Sequence, residues 1–222
     1  MKRLAALLAA GAIALAACAP AAAEPNFNAP AATRTAKESG LQTAIFAGGC
    51  FWGVEAVFSH MKGVTSAVSG YHGGSAATAH YDQVSEGNTG HAESVKVTYD
   101  PKVVRYDQLL QVLFSVVADP TLLNAQGPDR GTQYRAAIVP LTKEQRAVAT
   151  AYLAQMRASG VWKKPIVVAI ENPKQFYPAE AYHQDFAKKN PTNPYIQRWD
   201  APKVVSLKDQ FPTFYHADFT TG

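Results

Sequence analysis

Residues 48–53 read Gly-Gly-Cys-Phe-Trp-Gly and sit where an extended run gives way to a helical one. Thr43-Ala44-Ile45-Phe46-Ala47 has the make-up of a short strand, and Val54, Val57, Phe58 and Met61 recur at helical spacing. A strand that turns into a helix across two glycines demands a fold in which both kinds of element are layered together. It also places Cys50 at or near a helix N-terminus, where free backbone N–H groups favour the reactive thiolate. Phe51 and Trp52 set apolar walls beside the sulfur, which suits a nucleophile for a small substrate with an apolar end. The competing reading is a buried core cysteine among core aromatics.

The N-terminus reads as a targeting segment. Met1-Lys2-Arg3 is basic, and the apolar run from Leu4 to Ala17 is too short to span a membrane. It ends Leu15-Ala16-Ala17-Cys18, which resembles the bacterial lipobox, whose cysteine is lipidated and becomes the first residue of the mature chain. Ordinary cleavage after Ala21-Ala22-Ala23 is the alternative. The expectation is a signal peptide over 1–17, a flexible tether without a core over 18–40, rich in Ala and Pro, and one domain over 41–222. The destination is the periplasm, with the membrane touched through lipid on Cys18.

Cys18 and Cys50 are the two cysteines of the chain. Exported proteins often pair cysteines for structure. Here the first is consumed by lipid or removed, which leaves Cys50 alone and favours chemistry over structure. The net charge of +4 comes without a basic block or basic-aromatic interleaving, so nucleic acid is not a partner.

The remaining chain reads as one α+β domain. Strands are expected over 64–70, 93–99, 133–139 and 164–170. Helices are expected over 106–117, over 142–159 with a Thr142-x-x-Gln145 capping pattern, and near 179–188. The order β-α-β-β-α-β, with a further α-β, predicts a ferredoxin-like two-layer sandwich with additional elements. A long, irregular, proline-interrupted C-terminal tail wraps the surface.

Six stretches carry the remaining information: GCFWG at 49–53, GYHGG at 70–74, TGHAE at 89–93, DPTLLN at 119–124, GTQYR at 131–135 and YHQDF at 182–186. With these in order from about Leu41 to Tyr215, the chain resembles the peptide methionine sulfoxide reductases of the A type, which act on the S epimer. The resemblance implies that Cys50 attacks the sulfoxide sulfur and becomes a sulfenic acid. It implies Glu93, held protonated by burial, as general acid. Tyr81 and Tyr134 would hold the oxygen, Phe51 and Trp52 would pack on the methyl group, and Asp129 would support the polar side. No cofactor is bound. The partners are oxidised methionine-containing proteins and an external reductant, a thioredoxin-like protein or a small thiol, acting on a monomer.

Many relatives resolve the sulfenic acid with tail cysteines. This tail has none, and Ser85 stands where some relatives carry cysteine, which points to a branch with a single catalytic cysteine. His91 and His183 lack a tight ligand spacing and a second cysteine ligand, so a metal is not expected. Two other classes remain open. One is a Cys/His hydrolase using His91 or His183 as base. The other is a lipoprotein that binds methionine-rich partners at Phe51 and Trp52 without turnover.

Overall fold

The computed structural model describes residues 27–222; the expected signal peptide and Cys18 lie outside the described residues. In chain order the elements are β1 (Gln42–Gly48), α1 (Phe51–Ser59), β2 (Val64–His72), α2 (Tyr81–Val84), β3 (Ala92–Tyr99) and α3 (Tyr106–Val112). There follow β4 (Ala125–Gln126), β5 (Asp129–Arg130), β6 (Ala136–Val139), α4 (Lys143–Ala158), β7 (Ala169–Ile170), β8 (Phe176–Pro178), α5 (Phe186–Lys189) and α6 (Ala201–Gln210). The sheet runs β7-β6-β1-β3-β2-β8, antiparallel except for the β6–β7 pair. β4 and β5 form a separate two-stranded ribbon around Gly127-Pro128.

The alternation of β3 explains the layering. Glu93, Val95, Val97 and Tyr99 share one face of the strand, and the last three belong to the main core with Phe46, Phe58, Tyr106 and Leu110. Phe46 stacks on Phe58 and Tyr106 with ring centroids 5.1 and 5.9 Å apart. On the other face Ala47, Ala92 and Ala137 form a small cluster of their own. α1 is buried along nearly its whole surface. The sheet covers one side, and α5, α6 and the turn before α6 cover the rest. A short helix enclosed in this way is apolar on every side apart from the buried Glu55 and Ser59.

Several sequence expectations change. The strand expected over 164–170 forms only at Ala169–Ile170, on the sheet edge beyond β6. The strand expected over 133–139 begins at Ala136, after a tight helical turn at Thr132–Tyr134. The helix expected near 179–188 is reduced to α5, because Asp185 takes a left-handed conformation at φ +54°. The Gln184 amide bonds both backbone groups of Ser69 on β2 instead.

The segment over 27–40 is not a tether without a core. Phe27 meets the Trp162 ring, the Ala29 N–H donates to Ser115 Oγ at 3.1 Å, and the Ala36 N–H donates to Asp107 Oδ1 at 2.8 Å. The Tyr152 hydroxyl and the Gln155 amide donate to the carbonyls of Pro30 and Ala31. Alanines at 29 and 36 are small enough to sink between α3 and α4, so low-complexity composition here conceals packing.

The C-terminal tail is helical where it matters. A wide helical turn over Ile196–Asp200 leads into α6, with Pro202 in the first turn, where its missing N–H costs nothing. Beyond α6 the chain returns along α1, with the Lys62 N–H donating to the Phe214 carbonyl at 2.7 Å.

Candidate active site

Gly49 stands at φ +92°, and a Cβ there would lie 2.6 Å from Gln126 Cβ, so the turn between β1 and α1 requires glycine. The turn places half-buried Cys50 at the N-cap of α1. The Phe51 N–H, the first free amide of the helix, donates to Glu93 Oε2 at 2.9 Å. The Trp52 N–H serves the Cys50 sulfur. Glu93 reaches this position through strand register. Phe46 pairs with Val95, and the same register carried two residues further sets Gly48 opposite Glu93.

Glu93 is 1% exposed. Burial pushes its carboxyl up to about 8; Asp129 and Asp200 push the same way, while the Phe51 N–H and the Cys50 thiol pull it back. The thiol itself is raised well above its ordinary value, by burial first and then by Glu93 and Asp200. The helix N-terminus was expected to favour a thiolate, but burial beside carboxyl groups outweighs the nearby amide. Near pH 7 the resting pair is therefore a thiol hydrogen-bonded to a neutral carboxyl.

Two phenols complete this side. Tyr81 opens α2, and its backbone N–H donates to Glu180 Oε1 at 2.9 Å. The other oxygen, Glu180 Oε2, accepts from the Tyr71 hydroxyl at 2.8 Å. Tyr134 ends the tight turn in which the buried Gln133 amide donates to the Ser85 carbonyl. Both phenols lie within electrostatic reach of Cys50 and Glu93. Burial pushes Tyr81 up to about 12 and raises Tyr134 as well, so both are neutral donors.

The aromatic pair divides its work. Phe51 is 1% exposed, wedged against Tyr71 and His183, so it backs the site from the core. Trp52 is partly exposed and stacks on Phe186 at 3.7 Å. Its indole N–H donates to His183 Nδ1 at 3.2 Å, and the His183 ring also lies 4.5 Å from the Tyr81 ring. His183 is thereby committed to holding Trp52 and Tyr81. His91 accepts from the Gly74 N–H and faces the Ser75 carbonyl, which uses both ring nitrogens. His183 spends its Nδ1 lone pair on the Trp52 indole and keeps its proton on a buried Nε2 that has no hydrogen-bond partner, and both His91 nitrogens are engaged, so neither ring offers a base to Cys50. Among the described residues no three His, Cys, Asp or Glu side chains are grouped to hold a metal.

The other side of Cys50 was legible in the sequence only at Asp129. A narrow recess there is bounded by Gln126, Asp129, Tyr195, Trp199 and Lys203. The Tyr195 hydroxyl donates to Asp129 Oδ2, and its ring meets the Trp52 ring edge-on. Asp200 is wholly buried, with Lys203 Nζ 3.6 Å from Oδ1. A Cβ at Gly53 would collide with that carboxylate, which explains the last glycine of the motif. Tyr195, Asp200, Lys203 and Glu180 were missed as site residues. The signal available for the first three was a run of aromatic and charged residues in a tail otherwise read as irregular.

The chain can now be set beside known proteins. The peptide methionine sulfoxide reductase family profile matches residues 42–214. A relative from Mesorhizobium japonicum, peptide methionine sulfoxide reductase MsrA 2, is 57% identical over 176 residues, covering 79% of this chain and 90% of its own. A Synechocystis protein of the same name is 48% identical, covering 78% and 80%. Among solved structures, reduced Mxr1 from Saccharomyces cerevisiae matches with TM-score 0.62 and 31% identity over 72% of this chain and 92% of that one. Methionine sulfoxide reductase A of Corynebacterium diphtheriae matches with TM-score 0.59 and 32% identity over 70% and 78%. With a mixed α/β fold built on a central sheet, and the Cys50 thiol set against a buried carboxyl, the chain belongs to the peptide methionine sulfoxide reductase family of oxidoreductases.

Proposed function

We propose that the protein reduces the S epimer of methionine sulfoxide, free and in proteins, with Cys50 as nucleophile and Glu93 as proton donor. The observation that carries this reading is the buried Glu93 carboxyl, bonded to the Phe51 N–H beside the Cys50 thiol, with burial favouring its protonated form and two phenols within electrostatic reach. Tyr81 and Tyr134 bind the sulfoxide oxygen, and Trp52, backed by Phe51, packs on the methyl group. Asp129, held by Tyr195, supports the polar side.

As Cys50 Sγ attacks the sulfoxide sulfur, Glu93 gives its proton to the oxygen and recovers the thiol proton. The oxygen ends on Cys50 as a sulfenic acid, and methionine leaves. Cys50 sulfur loses two electrons and the substrate sulfur gains them. No cysteine follows Cys50 in the chain, so an external thiol, small or borne on a thioredoxin-like protein, returns the sulfenic acid to thiol. This is the single-cysteine branch of the family.

The same reading places the protein in the periplasm as a monomer anchored by lipid on Cys18, with soluble release near Ala23 as the alternative. It repairs oxidised proteins there. The strand order β6-β1-β3-β2, with α1 and α3 as crossovers, supports a ferredoxin-like description of the domain centre.

The test is methionine release from the domain without reductant. One methionine per chain, with a trappable sulfenic acid on Cys50, is expected. Repeated turnover without thiol would overturn the single-cysteine cycle. An acyl adduct with ester substrates would restore the hydrolase reading.

A further inference from the structure

The segment over 27–37 runs antiparallel along α4. The Arg34 guanidinium and the Lys37 N–H meet Glu144 in the first turn of α4, and Thr33 meets Gln155 further along. Phe27 packs on Trp162, just beyond the C-terminal end of the helix. The chain upstream of Phe27 therefore joins the domain at that end.

Two hollows of about 280 and 210 Å³ open there, with Trp162 and Lys164 in the walls of both. Arg157 lines the larger, and Phe27 and Lys163 line the smaller. Arg157, Lys163 and Lys164 are exposed. Among the described residues none of the three has a carboxylate within ion-pair distance. Asp119 is the single acidic residue in either wall, and its Oδ1 is taken up by the Thr121 N–H and hydroxyl at 2.8 and 2.7 Å. Apolar side chains are exposed beside the cations. Val161 lines the smaller hollow, and Val167, whose N–H donates to the Pro120 carbonyl, follows Ile166 of the larger. Cations without partners, set among exposed apolar groups, match the anionic and partly apolar boundary of a phospholipid surface.

We infer that this face rests on an anionic phospholipid membrane and holds the anchored domain in one orientation. The inference depends on the reading that Cys18 carries lipid. Phe27 is nine residues on from Cys18, which is at most ~30 Å of extended chain. A domain of this length is ~40 Å across. The side opposite Phe27 cannot lie on the bilayer, because Phe27 would then stand farther off than the leash allows. The end of α4 is the part of the domain that the leash keeps near the lipid. A cation close to an anionic surface multiplies the docked population about fivefold, so three give ~10²-fold. Lipid would supply attachment, and the basic face would supply orientation, with Cys50 presented at a fixed height above the bilayer.

The test reads anchor and docking separately. The full chain, made with its own leader in a bacterial host, is extracted from membranes, and its intact mass is read for acyl groups on Cys18. It is then placed in vesicles of phosphatidylcholine, alone or mixed with phosphatidylglycerol. Surface amines are acetylated briefly and quantified by peptide mass spectrometry. Lys143, exposed at the other end of α4, is the internal reference. Relative to Lys143, Lys163 and Lys164 should react about tenfold or more slowly on the anionic vesicles than on the neutral ones. Raised salt should erase the difference. Arg157→Gln keeps both reporter lysines and should lower their protection about fivefold, and Arg157→Lys should restore it.

Equal acetylation of Lys163 and Lys164 on the two kinds of vesicle would overturn the proposal. That wild-type comparison decides alone if Arg157→Gln does not fold. Protection of Lys143 as strong as that of Lys163 would overturn it too, since another face would then meet the lipid. So would protection by soluble polyglutamate but not by vesicles, which would give the face to an acidic protein. An unacylated Cys18 would show in the intact mass and would instead remove the anchor on which the proposal stands.

Discussion

Cys50 stands between two walls that the chain builds by different means. On the sheet side, Glu93 is placed by the register of β3 and tied to the Phe51 amide, and Tyr81 hangs from Glu180 by its backbone. Tyr134 ends a turn locked by Gln133. On the C-terminal side the parts come from one segment, Tyr195 to Lys203, joined to the rest by a phenol on Asp129 and a buried ion pair. The first wall is tied down from three separate segments, with Glu93 on a central strand, Tyr81 on Glu180 and the Tyr134 turn on Ser85. The second depends on a few side chains, and one of them is unwillingly charged. Burial pushes Asp200 up to about 6, against the pull of Lys203. The sheet wall is suited to positioning a reacting oxygen, and the tail wall to a role that tolerates adjustment.

The largest effects should come from the sheet wall and the sulfur it serves. Cys50→Ser should lose methionine formation by ~10⁴-fold or more, because a serine hydroxyl scarcely ionises, even though the fold is kept; ~10⁴-fold is about 5 kcal/mol of barrier. Activity within about tenfold of wild type, ~1.4 kcal/mol, would remove Cys50 from the bond-forming role.

Glu93→Gln comes next, at ~10²–10³-fold, the usual worth of a general acid. The wild-type pH profile carries the same information. A carboxyl raised from 4.5 to about 8 holds its proton at neutrality and gives it up as pH rises through about 8. Single-turnover release should therefore fall above that pH, and Glu93→Gln should lack the fall. The stability linkage has the same sign: the contribution of the proton is full below 4.5 and lost as pH rises through about 8. A wild-type rate that climbs through this range would show thiolate formation, not proton donation, to be limiting.

The same contrast explains what was legible in the sequence. The strand, glycine pair and helix around Cys50 announce themselves because turn chemistry and periodicity are local. Glu93, Tyr81 and Tyr134 were found by resemblance, since nothing local to a strand start shows that its carboxyl is buried. The tail wall was missed because Pro191 and Pro194 come just before it and Pro202 sits in the first turn of α6, so the helix reads as broken. Its purpose depends on a partner, Gly53, about 150 residues away. The 27–40 segment was misread for a related reason. Its alanines pack by being small, which composition reports as flexibility.

Gly53→Ala tests whether the tail wall is a separable unit. The added Cβ would overlap Asp200 Oδ1 and approach its Cγ to 2.9 Å. Overpacking of this kind costs ~1–3 kcal/mol, read as a lower Tm. If the walls are independent, α6 is displaced, proteolysis after Tyr195 becomes easier, and the single-turnover burst survives at a reduced rate. Loss of the burst together with the central sheet would show that the tail holds up the whole domain.

The smallest effect is expected from Asp200→Asn. Removing a negative charge near a thiol and a carboxyl lowers both of their pKa values. Asp200 ranks behind burial and Glu93 at the thiol, and behind burial, the Phe51 N–H and Asp129 at Glu93. The alkaline fall in the burst should therefore move below about 8. The move should be less than about one pH unit, or ~1.4 kcal/mol of interaction. Thiol alkylation at neutral pH should quicken slightly, because more of Cys50 is ionised. Both readouts come from one titration of the variant beside wild type. An upward shift would contradict the sign of the charge effect. A shift rivalling the loss in Glu93→Gln would mean that the two walls act on Cys50 as one electrostatic unit, and the division drawn between them would fail.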